Sequence, residues 1–187
     1  TFLKWQQIIP NTPYWSNRDA HTTVVFQDKL WLFGGVEGKQ VNKNPVYEKM
    51  PHKSDLWCSE NGVDWEMIMD EAPWGERRSI GAVIFKDKIW LFGGWENKYG
   101  ETKNDIWVSE DGKKWQVFTG AAEWPAREGH SVVVFNDKIW IAAGVDFLKH
   151  KTYNDVWYSE DGKKWKLAIQ NAPWSPRYDQ SLVVFNN

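Results

Sequence analysis

The chain has 187 residues, a formal net charge of −2 and a pI near 6.1, with 42% hydrophobic and 26% charged residues. That balance fits an ordinary globular protein and excludes a disordered chain, a collagen and a coiled coil. No apolar run reaches the roughly 18 residues of a membrane-spanning helix, and the absence of a basic excess argues against nucleic-acid binding. Cys58 is the only cysteine, so no internal disulfide forms. The anomaly is tryptophan, with 15 residues.

In chain order, Leu3 to Ile9 reads as an outer strand, with Trp5 in the register of Trp65. Three units follow, running from arginine to arginine: 18–76, 77–126 and 127–176. Trp57, Trp107 and Trp157 recur within Asp-x-Trp, and Trp65, Trp115 and Trp165 follow Ser-Glu-(Asn/Asp)-Gly. Trp74, Trp124 and Trp174 precede the next arginine, and Trp31, Trp90 and Trp140 keep their place after Phe26, Phe85 and Phe135. A fixed period of about 50 residues is the signature of a repeat architecture. The first unit is longer because of extra residues between Gly35 and Asp55, and an insertion confined to one point marks a surface loop.

Each unit reads as four short antiparallel strands. In the third unit these are Ser131–Phe135, Ile139–Ala142, Asp155–Ser159 and about Lys164–Ala168. The first is apolar and hardly alternates, as expected for a strand buried on both faces. A tight turn, Asn136-Asp137-Lys138, leads to the second, which ends at Gly144 as its counterparts end at Gly35 and Gly94. Asp161-Gly162 is expected to be a primed hairpin turn, in which Gly supplies positive φ. A last inner strand, Ser181 to Phe185, follows the third unit. A lone meander cannot bury both faces, whereas repeated ones stack around an axis as a β-propeller, with tryptophans filling the interfaces.

The quoted pattern resembles the Kelch repeat: Arg127-Glu128-Gly129-His130, Leu91-Phe92-Gly93-Gly94, Asn104-Asp105-Ile106-Trp107 and the lone Trp115. The Ser-Glu-Asp-Gly turn is similar to that of bacterial-type, galactose-oxidase-like propellers. The fold expected is therefore all-β: a Kelch-like propeller segment with three complete four-stranded blades and partial strands at both ends. Residues 1–17 and 177–187 are expected to belong to adjacent blades, and the whole to be part of a six- or seven-bladed ring. The remaining blades would come from the same protein or from a second copy. The copper set of galactose oxidase cannot be assembled, and two histidines in register, His21 and His130, do not make a metal site. No cofactor is expected.

The resemblance places the segments after each arginine and the loops after Gly-Gly on one face, where the family usually binds ligands. Four of the five arginines, Arg18, Arg77, Arg127 and Arg177, share one register; they read as a positive rim for an acidic ligand or as ties between blades. Arg78 and Tyr178 break the pattern and are candidate ligand contacts. Asp19 and Glu128 are carboxylates placed to act as acid or base, or to pair with a nearby arginine. Trp95 is the one tryptophan outside the registers and is expected in a loop on the binding face. Tyr47, Tyr99, Phe147 and Tyr153 add aromatics to the long loops, where His52 and His150 are expected to be solvated. The function expected is non-catalytic recognition of a protein, peptide or glycan. The alternatives are a mutarotase-like carbohydrate enzyme and a structural propeller in an envelope assembly. The bacterial-type turn suggests an extracellular or envelope location.

Overall fold

The computed structural model describes residues 4, 6–9, 14–38 and 50–185; Trp5 and Tyr47 lie outside them. Every element assigned is a β-strand, and all pairings are antiparallel. The first blade contains β1 (Arg18–Asp19), β2 (Thr22–Phe26), β3 (Lys29–Glu37), β4 (His52–Ser59) and β5 (Glu66–Met69). The second contains β6 (Arg77–Arg78), β7 (Gly81–Phe85), β8 (Lys88–Glu96), β9 (Glu101–Ser109) and β10 (Gln116–Thr119). The third contains β11 (Ser131–Phe135), β12 (Lys138–Ala142), β13 (Val145–Asp146), β14 (Lys151–Thr152), β15 (Val156–Ser159) and β16 (Lys166–Ile169). The inner strands β2, β7 and β11 are neighbours, which sets the blades side by side around a channel.

Two sequence expectations change in detail. The second strand does not stop at Gly-Gly. It bends there and continues, so that Val36 pairs with Asp19 and Trp95 with Arg78. In the third blade the bend interrupts the strand at Ala143 and Gly144, and an isolated bridge joins Glu128 to Val145. The turn types also exchange places. Both residues of Gln27-Asp28, Lys86-Asp87 and Asn136-Asp137 have positive φ, as a two-residue primed turn requires. The Asp-Gly segments instead form longer loops with positive φ at Gly alone. In the second blade, the Lys113 and Lys114 amides donate to Asp111 Oδ1 and the Gly112 amide donates to Ser109 Oγ. The acceptors supplied by Ser and Asp thus hold the loop open against a tighter hairpin.

The core is interfacial. One cluster joins Phe26, Trp31, Phe33 and Trp74 of the first blade to Ile89, Leu91 and Trp115 of the second. Another joins Phe85, Trp90, Phe92 and Trp124 to Ile139, Ile141 and Trp165 of the third. Each buried indole removes about 150–250 Å², an upper bound of roughly 4–6 kcal/mol. Gly112 and Gly162 make the seating possible, since a Cβ there would overlap the rings of Trp31 and Trp90. Trp74 meets Trp115 edge-on at 4.7 Å, and Trp15 meets Trp65 at 4.1 Å in the same register.

The inner strands are less enclosed than their apolar runs suggest, because one side borders the channel; Val25 remains exposed. The flank of the third blade has nothing packed on it among the described residues. Phe135 is 39% exposed there, whereas its counterpart Phe85 is 5% exposed. Lys4, residues 6–9 and Ser181–Phe185 form no strand: no ladder partner is present for them among the described residues.

Candidate functional site

The arginine register is a clamp. Arg127 donates to Asp155 Oδ1 at 2.6 Å and Oδ2 at 2.9 Å, to the Ala143 carbonyl at 2.7 Å and to the Pro125 carbonyl at 2.9 Å. Asp155 Oδ2 also accepts from Trp157 Nε1 at 2.9 Å. Arg18 grips Asp55 and the Gly34 carbonyl in the same way, and Arg77 grips Asp105 and the Gly93 carbonyl. A bidentate fork on a carboxylate that also holds an indole explains why lysine, abundant elsewhere, is absent from this register. The backbone of the same segment reaches the other way, since the Gly94 amide donates to the Arg127 carbonyl. Arg18, Arg77 and Arg127 therefore each lock the third strand of their own blade, and the carbonyls of Arg127 and Arg177 hold the previous blade. The side chains of Arg18, Arg77 and Arg127 are buried and do not line a positive rim. Arg177 is exposed and donates to Ser175.

Immediately after each clamp the chain makes a left-handed step, at Ala20, Ser79, Gly129 and Asp179, with φ between 52° and 62°. This step turns the lead-in segments over the channel. Adjacent segments are stitched together: the Ser79 amide donates to the Ala20 carbonyl, and the Asp179 amide to the Gly129 carbonyl, both at 2.8 Å. The result is a cavity of about 890 Å³ at the channel mouth. Its wall is made of four triplets, Asp19-Ala20-His21, Arg78-Ser79-Ile80, Glu128-Gly129-His130 and Tyr178-Asp179-Gln180, with Phe147 and His150 from the loop after β13. At these positions the units differ from one another.

Arg78 and Glu128 meet across two blades. Nε donates to Oε2 at 2.9 Å and Nη2 to Oε1 at 3.2 Å, with both side chains buried. Arg78 Nη1 lies 3.3 Å from His52 Nε2. Because guanidinium only donates, that nitrogen is the acceptor, and Nδ1–H donates to the Met50 carbonyl. Trp95 carries the guanidinium on its ring face at 5.1 Å. Trp95 therefore sits in β8, only 5% exposed, and not in a surface loop. His52 likewise lies in β4 at 4% exposure and is not solvated. The sequence carried both signals. Val36, Trp95 and Val145 occupy one apolar register after Gly, and His52 stands three residues before Asp55 as Thr102 does before Asp105.

Burial dominates the electrostatics of the mouth. It pushes the Glu128 carboxyl up, against the opposing pull of Arg78. It also pushes Asp179 up, helped by the charge of Asp19. Burial and Arg18 push His21 down. Burial and Arg127 take His130 down to about 3, so its ring is neutral at pH 7. Asp19 accepts from the Ala20 amide at 2.6 Å. Tyr178 meets Phe147 edge-on at 5.4 Å at the open side of the cavity. Tyr153 lies under the Arg127 guanidinium at 4.0 Å, so this loop aromatic serves the clamp. Among the described residues, no group of three or more His, Cys, Asp or Glu is placed to hold a metal ion.

Four-stranded antiparallel blades, stacked through tryptophan and opening a lined cavity at the channel mouth, define a β-propeller recognition fold built from Kelch repeats. The KLHDC2/KLHL20/DRC7 Kelch-repeats domain matches residues 1–187, and the chain belongs to that family. A search of curated proteins gave no match. No helix of the described residues is long and apolar enough to cross a membrane.

Proposed function

We propose that the chain is a non-catalytic recognition module that takes a peptide segment of a partner protein at the channel mouth. Kelch-repeat domains generally mediate protein–protein interaction. The observation that carries the proposal is the division of labour within the repeat. Clamps and indoles recur in every unit, whereas the cavity wall is built from the triplets that diverge. A pocket with exposed aromatics beside fixed polar groups suits peptide anchoring. Glu128, the carboxylate best enclosed for acid–base work, has both oxygens engaged by Arg78, which favours binding over turnover. A capped-peptide library screened against the chain, with hydrogen exchange on the hits, tests this. Protection is expected at 19–21, 78–80, 128–130 and 178–180, with binding lost in Tyr178→Ala. Protection confined to the Asp-Gly loops on the opposite face, or binding of glycans and no peptide, would overturn it.

We also infer that the three blades belong to a larger ring, completed by more of the same protein or by a second copy. The uncovered apolar flank of Phe135 supports this, since the same surface is covered twice within the chain. Sedimentation of the parent protein as a monomer containing three blades would count against it.

A further inference from the structure

We propose that Asn61 is a site of self-modification: its side chain condenses with the Gly62 amide to a succinimide, which water opens to aspartate or isoaspartate. Asparagine is among the chemically labile residues, and Asn61-Gly62 is the one Asn-Gly pair in the chain. Glycine has no Cβ to crowd the attack of its own nitrogen. The three loops of this register allow a comparison within the molecule. Asp111 and Asp161 stand where the first unit has Asn61. Backbone amides, that of Lys114 on Asp111 and that of Lys164 on Asp161, hold both carboxyls below the usual range. Those two side chains are therefore ionised at neutral pH and resist attack, which leaves the first loop as the reactive one.

The fold supplies what the ring closure needs. As Gly62 N bonds to Asn61 Cγ, negative charge develops on Oδ1, which already accepts from the Val63 and Asp64 amides, both at 2.8 Å. Donors fixed on a developing oxyanion lower the barrier. Ser59 links the two reacting groups: its Oγ accepts from the Gly62 amide at 2.8 Å and donates to Asn61 Oδ1 at 3.3 Å. A hydroxyl both accepts and donates, so Ser59 takes the Gly62 proton while passing its own to Oδ1. That proton then moves to Nδ2, the Cγ–Nδ2 bond breaks and ammonia leaves. Water adds to either carbonyl of the succinimide and restores an acid, with no oxidant or reductant involved. Asn61 is exposed, so water reaches it. Asp111 is half-buried and Asp161 exposed although their glycines are seated on Trp31 and Trp90, so a blade packed on this flank would leave the position open. The product changes the loop. Asn61 Nδ2 donates to Asp64 Oδ2 at 2.9 Å. A new carboxylate would instead face Asp64, where the twin loops place Lys114 and Lys164. Isoaspartate also carries the main chain through Cγ, which displaces the acceptor of the Val63 and Asp64 amides.

The test incubates the folded chain at neutral pH and body temperature and maps its peptides by mass spectrometry. Capped peptides spanning 59–65, with Ser59 or with alanine in its place, are incubated alongside. A gain of about one dalton should accumulate at Asn61 at least tenfold faster than at any other asparagine, with the ammonia-loss intermediate at the same residue. Ser59→Ala should slow conversion about tenfold in the folded chain and leave the peptide rate unchanged, with a urea unfolding curve checking that the variant is folded. The unaltered folded chain should also convert faster than its own peptide, a comparison that needs no variant. An unmodified Asn61 in the folded chain, a folded chain slower than the peptide, or an equal or faster rate in folded Ser59→Ala would each overturn the assignment.

Discussion

Replacing Arg127 with Met should be among the most damaging single changes in the molecule, for a reason that a second change can relieve. The side chain is 0% exposed and makes four hydrogen bonds, two of them to Asp155. Two unit charges about 4 Å apart attract by roughly 4 kcal/mol at an effective dielectric constant near 20. Removing only the arginine leaves a buried carboxylate uncompensated and the Ala143 carbonyl without its donor, and breaking a buried pair costs about 3–5 kcal/mol. Asp155→Asn removes the offending charge while keeping an oxygen that can accept from Trp157 Nε1. The double variant Arg127→Met/Asp155→Asn should therefore recover part of the loss instead of adding to it. Urea unfolding followed by tryptophan fluorescence measures all three variants, and the coupling follows from a double-mutant cycle. A loss below about 1 kcal/mol for Arg127→Met, or simple additivity in the double variant, would refute the clamp.

Two further outcomes follow from the packing and from the buried imidazole. His130 is held neutral in the fold with its pKa near 3, while in the unfolded chain it titrates near 6.5. The unfolded state therefore binds the extra proton first, so this contribution to stability is present above about pH 6.5 and is lost as pH falls towards 3. The loss is on the order of 1.4 kcal/mol per pH unit within that window, and comparison of wild type with His130→Phe at pH 7 and pH 5 should show the slope reduced in the variant. Gly112→Ala should cost well over 1 kcal/mol because its Cβ would strike the Trp31 ring, whereas at Gly62 a Cβ would meet only Leu30 Cδ1 at 3.4 Å and the cost is mainly that of positive φ. Equal thermal shifts for Gly112→Ala and Gly62→Ala would show that the glycine–indole seat is not the cause.

The fold was legible because its information is periodic and local. Tight turns, β-branched runs and indoles at fixed offsets each report their own strand, and three copies reinforce one another. Strand ends were less legible. Gly-Gly looks like a terminus, yet the ladder resumes beyond it because Asp19 and Arg78 come back to pair with Val36 and Trp95. The site was legible by position but not by charge. Divergence among units marked the triplets that line the cavity. Which arginines are consumed by aspartates depends on contacts between segments that are 28 and 37 residues apart, and no local pattern reveals that a guanidinium is already taken. The register of His52 was readable, but its partner was not, since Arg78 lies in the next blade.

The clamp closes within a single blade, and the indole seats join only neighbouring blades. Mechanical continuity therefore has a grain. Tension along the chain should therefore open the seats, where a ring lifts off a glycine, before it opens the guanidinium fork that holds each meander together. A molecule built this way should come apart like a row of latched panels, shedding whole units from its uncovered flank while those behind remain shut.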